Sequence, residues 1–399
     1  MSGEQSIPID VDVDATDGRY HRQELISWWD QERLSAAKVL VVGAGALGNE
    51  LVKNLALLGV GTTVVIDMDR VENSNLSRCV LFRAGDEGRP KADVVAEAGG
   101  ELNPDVEIIP VVGDVRVDLG LQVFAEMDVV LGGLDNREAR LHINQSCWKT
   151  TTPWIDGAIE GLMGTFRVFI PPDRPCYECT MNERDHQLLA ARKACSLLTR
   201  EQMLDGKVPT TATSASIIAA MQVQEAIKLL HRDRIPNDFG GHGFAFNGLT
   251  HDSYVVSYRF REDCLSHETY DLASASPVPT QATFGQLLDE AQQRLGDAVL
   301  DLEQEIVTGL HCAQCDFTER VRQPLERLTT GVAICPACGN ERQVELLHSL
   351  DREQVELLAL TPAELGLPRF DVVTGRSGFQ RHHFLLDGGR VELRELVTT

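Results

Sequence analysis

Short apolar runs alternate with helical patterns along residues 38–131. Short apolar runs fit buried strands, whereas longer segments with apolar residues three and four positions apart fit helices. The predicted strands are residues 38–42, 63–66, 106–112 and 128–131, and the predicted helices are residues 47–58, 91–102 and 117–127. Strands that are separated by helices predict an α/β fold with a parallel, doubly wound sheet.

The pattern changes after residue 150. Residues 150–170 and 243–260 predict adjacent extended segments, and residues 214–231 predict a helix that is apolar on most faces and therefore buried. Serine and proline at residues 274–279 predict a linker, beyond which lie a charged helix, paired cysteines and a tail interrupted by proline and glycine. We therefore predict a disordered acidic tail at residues 1–18, a main domain at 19–270 and a smaller domain at 271–399.

The charge balance limits the partners that this chain can have. Its 399 residues include 37 basic and 60 acidic residues, a formal net charge of −23. Nucleic acids and anionic membranes are bound through clustered Lys and Arg, so neither is an expected partner. No apolar run reaches the roughly 18 residues of a membrane span, and the N-terminus lacks the pattern of a signal peptide. We expect a cytoplasmic protein whose ten cysteines are thiols or metal ligands rather than disulfides.

A glycine-rich loop follows the first predicted strand. Gly43, Gly45 and Gly48 have G-x-G-x-x-G spacing, which lets the backbone turn tightly and presents helix N–H groups to phosphate. Asp67 ends the next strand, where a carboxylate can accept hydrogen bonds from ribose hydroxyls. Taken alone, this pattern most often indicates the dinucleotide of an NAD(P)-dependent oxidoreductase.

Further polar residues follow the ends of the predicted strands and change that interpretation. Asp69 is followed by S-N-L-S-R at residues 74–78, G-R-P-K at 88–91 and D-N at 135–136. Arg78 and Lys91 are suited to bind an extended triphosphate as charged donors, and Asp135 is suited to bind Mg²⁺. Hydride transfer needs an apolar slot for nicotinamide instead, so the set favours an ATP site.

Residues 19–267 resemble the ubiquitin-activating (E1) enzymes and the ThiF/MoeB-like adenylyltransferases, their bacterial relatives that act on sulfur-carrier proteins. Six motifs match in order: R-Y-H-R-Q at 19–23, the three segments just given, C-Y-E-C at 176–179 and V-P-T-T at 208–211. The compact chain with its cysteine-rich tail is most similar to E1 enzymes of bacterial ubiquitin-like conjugation systems.

The resemblance implies a Rossmann-like adenylation domain with a crossover loop, which uses ATP and Mg²⁺ to activate the C-terminal glycine of a ubiquitin-like β-grasp protein. It implies that Asp67 holds the ribose, Asn75 orients phosphate or substrate, Arg78 and Lys91 neutralise the triphosphate, and Asp135 holds the metal.

The resemblance also implies two features of the whole assembly. Arg22 would reach across the interface of a homodimer into the partner's ATP site. Cys195, which follows Arg192 and Lys193, would carry the acyl group as a thioester before an E2-like conjugating partner receives it.

Three C-x-x-C pairs predict two structural zinc sites. Cys312 and Cys315 are separated by nineteen residues from Cys335 and Cys338, a spacing typical of a four-cysteine zinc ribbon. Cys176 and Cys179 form the third pair, and the resemblance places the rest of that site at Cys264 and His267. Four protein ligands leave no position for a substrate, so we expect both zinc ions to be structural.

Three other functions compete with this hypothesis. The same adenylation can lead to a thiocarboxylate on a sulfur carrier for thiamin or molybdopterin synthesis. An NAD(P)-dependent oxidoreductase would use the glycine loop alone. A non-catalytic scaffold is disfavoured because Arg22, Arg78, Lys91 and Asp135 are all present.

Overall fold

The structure, a computed structural model, describes residues 18–187, 209–236 and 239–398. All but the last residue of the predicted acidic tail lies outside these ranges, as does Cys195. Within these ranges, no helix combines the length and the apolar character that crossing a membrane requires.

An eight-stranded sheet forms the first half of the molecule and confirms the predicted α/β class. Its strands are β1 (Lys38–Val42), β2 (Thr62–Ile66), β3 (Glu107–Val111), β4 (Val129–Gly132), β5 (Trp154–Glu160), β6 (Met163–Phe169), β7 (His242–Asn247) and β8 (Asp252–Ser257). The order is β3-β2-β1-β4-β5-β6-β7-β8; the strands from β3 to β5 are parallel and the rest antiparallel. The connection reverses direction between β1 and β4, where open α/β sheets bind ligands.

Helices cover both faces of this sheet and bury its apolar strands. They are α1 (His21–Glu24), α2 (Gln31–Ala36), α3 (Ala46–Leu58), α4 (Lys91–Leu102), α5 (Leu121–Ala125), α6 (Arg137–Thr150) and α7 (Ala212–Leu230). Apolar residues of α3, α4 and α7 form one core cluster, and those of α5 and α6 form another. Helix α5 is shorter than the predicted 117–127, because the backbone N–H of Asp114 donates to the carboxylate of Asp118 and holds that segment as a turn.

A second, six-stranded sheet follows and is covered by one long helix. It contains β9 (Ser276–Pro277), β10 (Val299–His311), β11 (Thr318–Pro324), β12 (Gln343–Leu350), β13 (Val372–Ser377) and β14 (Gln380–Leu385). Helix α8 (Phe284–Leu295) buries its apolar side against this sheet, and α9 (Val355–Leu358) is a single turn. The predicted linker at 274–279 is partly wrong: β9 pairs with β14, because Val278 is buried and its N–H bonds to Leu385.

The last described segment returns to the first sheet. Leu396 is 5% exposed and packs in the core cluster of α5 and α6. The guanidinium of Arg394 bonds to the carboxylate of Glu107 at the edge strand β3. Covering an edge strand blocks pairing with another chain, so this segment protects one side of the eight-stranded sheet.

Candidate functional site

The glycine loop turns sharply from β1 into α3. Gly43 has φ = +93°, and a Cβ atom there would lie 2.8 Å from the carbonyl oxygen of Gly133. A Cβ on Gly48 would lie 1.8 Å from the carbonyl oxygen of Gly43, whereas one on Gly45 would meet nothing within 4 Å. Two glycines therefore permit close packing. Gly45 instead faces open space at the start of α3, where no side chain caps the helix, and this geometry fits an approaching phosphate.

Asp67 follows β2 and braces this loop. Its two carboxylate oxygens accept hydrogen bonds from the backbone N–H groups of Ala44 at 2.6 Å and Asp69 at 2.7 Å. Burial raises the pKa of Asp67, an effect that the nearby ammonium of Lys91 opposes. The carboxylate is therefore fixed beside the glycine loop, at the place predicted for a ribose ligand.

Lys91 is the first residue of α4 and points to the same strand ends. Its Nζ lies 2.7 Å from Oδ2 of Asp69. Burial lowers the pKa of Lys91, but the carboxylates of Asp67 and Asp69 outweigh it and raise the pKa above its usual value. The ammonium is thus held charged. Its ion-pair partner Asp69 has 59% of its side chain exposed, whereas Lys91 has 12% exposed.

Asn75 lies in a short 3₁₀ turn, and Arg78 lies at the end of this turn. The side chain of Asn75 is buried and accepts a hydrogen bond from the N–H of Glu72, while Arg78 donates to the carbonyl of Ser74 at 2.7 Å. Burial raises the pKa of the neighbouring Cys79 thiol to about 11, and the charges of Arg78 and Lys91 oppose that rise. Arg78 ends the turn and immediately precedes Cys79 in the chain.

Asn49 joins the loop to this turn, a role that motif reasoning missed. Its fully buried amide donates to the carbonyl of Ala44 at 2.7 Å, and its oxygen accepts from the N–H of Leu81 at 2.9 Å. The amide thus satisfies buried backbone groups of two segments, one of them 32 residues from Asn49 along the chain. Sequence patterns carry little signal for this role, because α3 also contains Glu50, Lys53 and Asn54.

Asp135 lies at the bend between β4 and α6. It is exposed and forms no ion pair within the described part of the chain, while Asn136 caps α6 by accepting from the N–H of Ala139 at 2.8 Å. The contact of Gly43 with Gly133 brings this bend against the glycine loop. An exposed carboxylate there fits Mg²⁺, which prefers oxygen ligands and usually bridges them to phosphate.

Arg22 is not brought to the other predicted residues. It lies exposed on α1, and its neighbour Tyr20 packs its ring against Gly59, the C-cap of α3. Since α3 has 13 residues, this end lies about 20 Å along the helix from the glycine loop. Arg22 therefore lies at the opposite end of α3 from the loop of its own chain.

The first predicted zinc ligands form one cluster. The Sγ atoms of Cys176 and Cys264 are 3.5 Å apart, Cys179 Sγ is 3.3 Å from His267 Nε2, and all four ligand atoms lie within 4.8 Å of one another. The imidazole is clamped between the rings of Trp148 and Phe260. Three thiols and one imidazole at this spacing fit tetrahedral zinc.

The four cysteines of the predicted ribbon form the second cluster. The Sγ distances are 3.5 Å between Cys312 and Cys338 and 3.6 Å between Cys315 and Cys335. The amide of Asn340 donates to Cys338 Sγ at 3.4 Å and lowers the pKa of this thiol to about 6. Because thiolates are the metal-binding form, this bond favours metal loading. The geometry fits a four-cysteine zinc site formed by the connections from β10 to β11 and from β11 to β12.

Comparisons with known proteins agree with this arrangement. Residues 20–265 match the ThiF family. The SAMP-activating enzyme E1 of Haloferax volcanii is 34% identical over 242 residues, which are 59% of this chain and 81% of that protein. The NEDD8-activating enzyme E1 catalytic subunit of Arabidopsis thaliana is 41% identical over 157 residues, 36% of this chain but only 34% of that subunit. The chain therefore belongs to the ThiF family of E1-like enzymes, as its motifs predicted.

Solved structures show the same fold. Escherichia coli MccB, in a crystal structure with ATP, superposes with a TM-score of 0.54 at 22% identity and covers 65% of this chain and 77% of that one. A crystal structure of the same protein with succinimide superposes with a TM-score of 0.53 at 23% identity. The Rossmann-like fold of the main domain is thereby confirmed.

Proposed function

We propose that this protein uses ATP to adenylate the C-terminal carboxylate of a ubiquitin-like protein. The carboxylate oxygen attacks the α-phosphorus, the bond from that phosphorus to the bridging oxygen breaks, and pyrophosphate leaves. Two observations at the switch point of the sheet carry the proposal. Asp67 bonds to the glycine loop, and Lys91 pairs with Asp69 beside it. The bend that carries Asp135 packs against Gly43 of the same loop. Relatives named as SAMP-activating and NEDD8-activating enzymes support the class of substrate.

The charged side chains divide the work of this reaction. Two anions must approach each other, so Lys91 and Arg78 offset the charge of the triphosphate and of the leaving pyrophosphate. Asp67 holds the ribose, Asn75 orients the phosphates or the substrate, and Asp69 keeps Lys91 charged and in place before ATP binds. Asp135 would hold Mg²⁺, which would supply further charge neutralisation to the triphosphate.

The second proposed step moves the acyl group to a cysteine. The thiolate of Cys195 attacks the carbonyl carbon of the acyl-adenylate, a thioester forms and AMP leaves. Cys195 lies outside the described residues, so the support for it is the sequence alone: two cations precede it, and cations favour thiolate. An E2-like conjugating partner then accepts the acyl group.

We also propose that the active form is a homodimer with composite sites. Arg22 lies at the far end of α3 from its own glycine loop, which supports a role in the partner's site rather than its own. If this is so, mixing inactive Arg22→Ala protein with inactive Lys91→Ala protein restores activity, because mixed dimers contain one intact site. Failure to restore activity in dimers proven to be mixed would contradict the composite site.

The smaller domain, assigned here to residues 271–399, is proposed to dock the substrate protein or the conjugating partner. Both cysteine clusters are proposed to hold structural zinc. A structural role for the zinc in the ribbon is supported because four cysteine ligands complete the coordination sphere and leave the metal no catalytic position.

The two chemical steps can be separated in one experiment. The protein is incubated with Mg²⁺, ATP and a ubiquitin-like protein that ends in a free glycine, and products are analysed by intact mass and non-reducing gels. We expect the AMP ester of the substrate and an adduct that dithiothreitol removes. Cys195→Ala should lose only the adduct, with Cys147→Ala as the matched control. Adduct formation by Cys195→Ala would show that the nucleophile is wrong, and an adenylate without any adduct would favour the sulfur-carrier alternative.

A further inference from the structure

A buried ionic network lies behind the bend that carries Asp135. Asp156 on β5 is 1% exposed, and its carboxylate accepts hydrogen bonds from two arginines. Arg140 on α6 donates from Nε to Oδ1 at 2.8 Å, and Arg167 on β6 donates from Nε to Oδ2 at 3.1 Å. A buried carboxylate paired in this way also fixes both guanidinium groups, because breaking either pair would leave charge uncompensated.

Arg140 connects this carboxylate to the bend. Its Nη2 donates to the carbonyl oxygen of Leu134 and, at 3.1 Å, to that of Gly157. Leu134 immediately precedes Asp135, whose own carboxylate has no ion pair among the described residues. The backbone on either side therefore determines where that carboxylate lies: the Asn136 cap on one side and the Leu134 carbonyl on the other.

Arg167 connects the same carboxylate to a different region. Its Nη1 donates to Oγ1 of Thr180 at 3.3 Å, and its guanidinium lies 4.8 Å from the ring centre of Tyr177. Both residues belong to the turn that carries Cys176 and Cys179. The two arginines thus share one buried partner, but only Arg140 bonds to the backbone next to Asp135.

We propose that Asp156 is a positioning residue for the magnesium carboxylate. By fixing Arg140 it holds the carbonyl of Leu134, and through this carbonyl it sets where Asp135 meets Mg²⁺ and the phosphates. This inference rests on the function proposed above. The proposed role differs from that of a purely structural ion pair. A structural ion pair would affect folding without affecting metal binding, whereas Asp156 should affect metal binding as well.

The shared partner provides matched variants. In Arg140→Lys the positive charge opposite Asp156 is kept, but one ammonium cannot bond in the forked geometry that reaches carboxylate and carbonyl together. Arg167→Lys makes the same change on the other side of the carboxylate. Thermal unfolding of both full-length variants measures the structural cost, and isothermal titration calorimetry measures ATP affinity with Mg²⁺ and with EDTA.

We expect Mg²⁺ to strengthen ATP binding by the wild-type protein and by Arg167→Lys to the same extent. In Arg140→Lys, the increase in ATP affinity that Mg²⁺ causes should be about tenfold smaller than in the wild-type protein, which corresponds to the loss of one charged hydrogen bond. The ATP affinity of this variant in EDTA should stay within about twofold of the wild-type value. Asp156→Asn should also show a smaller increase in ATP affinity with Mg²⁺. This variant tests the inference if Arg140→Lys does not fold.

Three results would overturn the inference. They are a wild-type magnesium gain in folded Arg140→Lys, a wild-type gain in folded Asp156→Asn, and an equal loss in Arg167→Lys. The proposed function fails in a different way, which is that wild-type protein shows no magnesium-dependent ATP binding at all.

Discussion

Lys91 Nζ lies 2.7 Å from Oδ2 of Asp69, and this ion pair joins the start of α4 to the segment after β2. Both residues are predicted to bind the nucleotide, and in the structure they bind each other. In the proposed function, phosphate oxygens are alternative partners for the same ammonium, so triphosphate binding would exchange one anionic partner for another. The ion pair thereby keeps a buried cation charged and ready for the substrate.

Removing the ammonium should therefore impair chemistry more than folding. Lys91→Ala is expected to lower the rate of adenylate formation at least about a hundredfold, as the loss of one preorganised donor commonly does. The matched control is Lys38→Ala, which removes a lysine that bonds to Glu126 at 2.8 Å at the start of β1. Similar losses in both variants would show that general ion-pair stability, not phosphate contact, explains the effect.

The loop glycines should separate ligand binding from folding. Gly48→Ala places a methyl group 1.8 Å from a carbonyl oxygen and should reduce the free energy of unfolding by more than about 2 kcal/mol. Gly45→Ala meets nothing within 4 Å and should leave stability within about 1 kcal/mol, while weakening ATP binding about tenfold. Urea denaturation and calorimetry measure the two quantities. Wild-type ATP affinity in Gly45→Ala would remove this glycine from the phosphate site.

Two metal ions per chain are expected from the two ligand clusters. Elemental analysis of full-length protein should find about two zinc ions. Cys264→Ser and Cys335→Ser should each lose one, while Cys147→Ser, which changes a buried thiol outside both clusters, should lose none. Two zinc ions retained in either cluster variant would contradict the ligand assignment.

Stability should depend on pH through Asp371, which lies buried between the two sheets. Its Oδ1 accepts from the N–H of Leu121 at 3.0 Å, and burial, together with the charge of Glu303, raises its pKa to about 7. An unfolded aspartate has a pKa near 3.9, so unfolding releases a proton. The contribution to stability is therefore complete below about pH 4 and is lost as the pH rises through about 7.

Asp371→Asn removes this titration and keeps the bond to Leu121. Its free energy of unfolding, relative to that of the wild-type protein, should rise between about pH 5 and pH 8 by on the order of 2–4 kcal/mol. Urea denaturation at several pH values measures the difference. A difference that stays constant across this range would show that the carboxyl group is charged in the folded protein throughout.

Local patterns predicted the elements that carry the site, but not the contacts that fix it. Strand β1 and helix α4 have the predicted bounds, because apolar runs and helical periodicity are properties of neighbouring residues. Asn49 and Asp156 were missed because each acts through partners that folding brings together. The predicted linker was partly wrong for the same reason: only the distant strand β14 makes residues 276–277 a strand.

Exchange of labelled pyrophosphate into ATP shows whether this site joins AMP to a terminal carboxylate. With a ubiquitin-like protein that ends in a free glycine, we predict exchange that requires Mg²⁺ and is lost in Asp135→Ala, a change at an exposed position that should leave the fold intact. Exchange that persists in Asp135→Ala would contradict the magnesium role of Asp135. Wild-type protein that binds NAD and never incorporates label into ATP would contradict adenylation by this site.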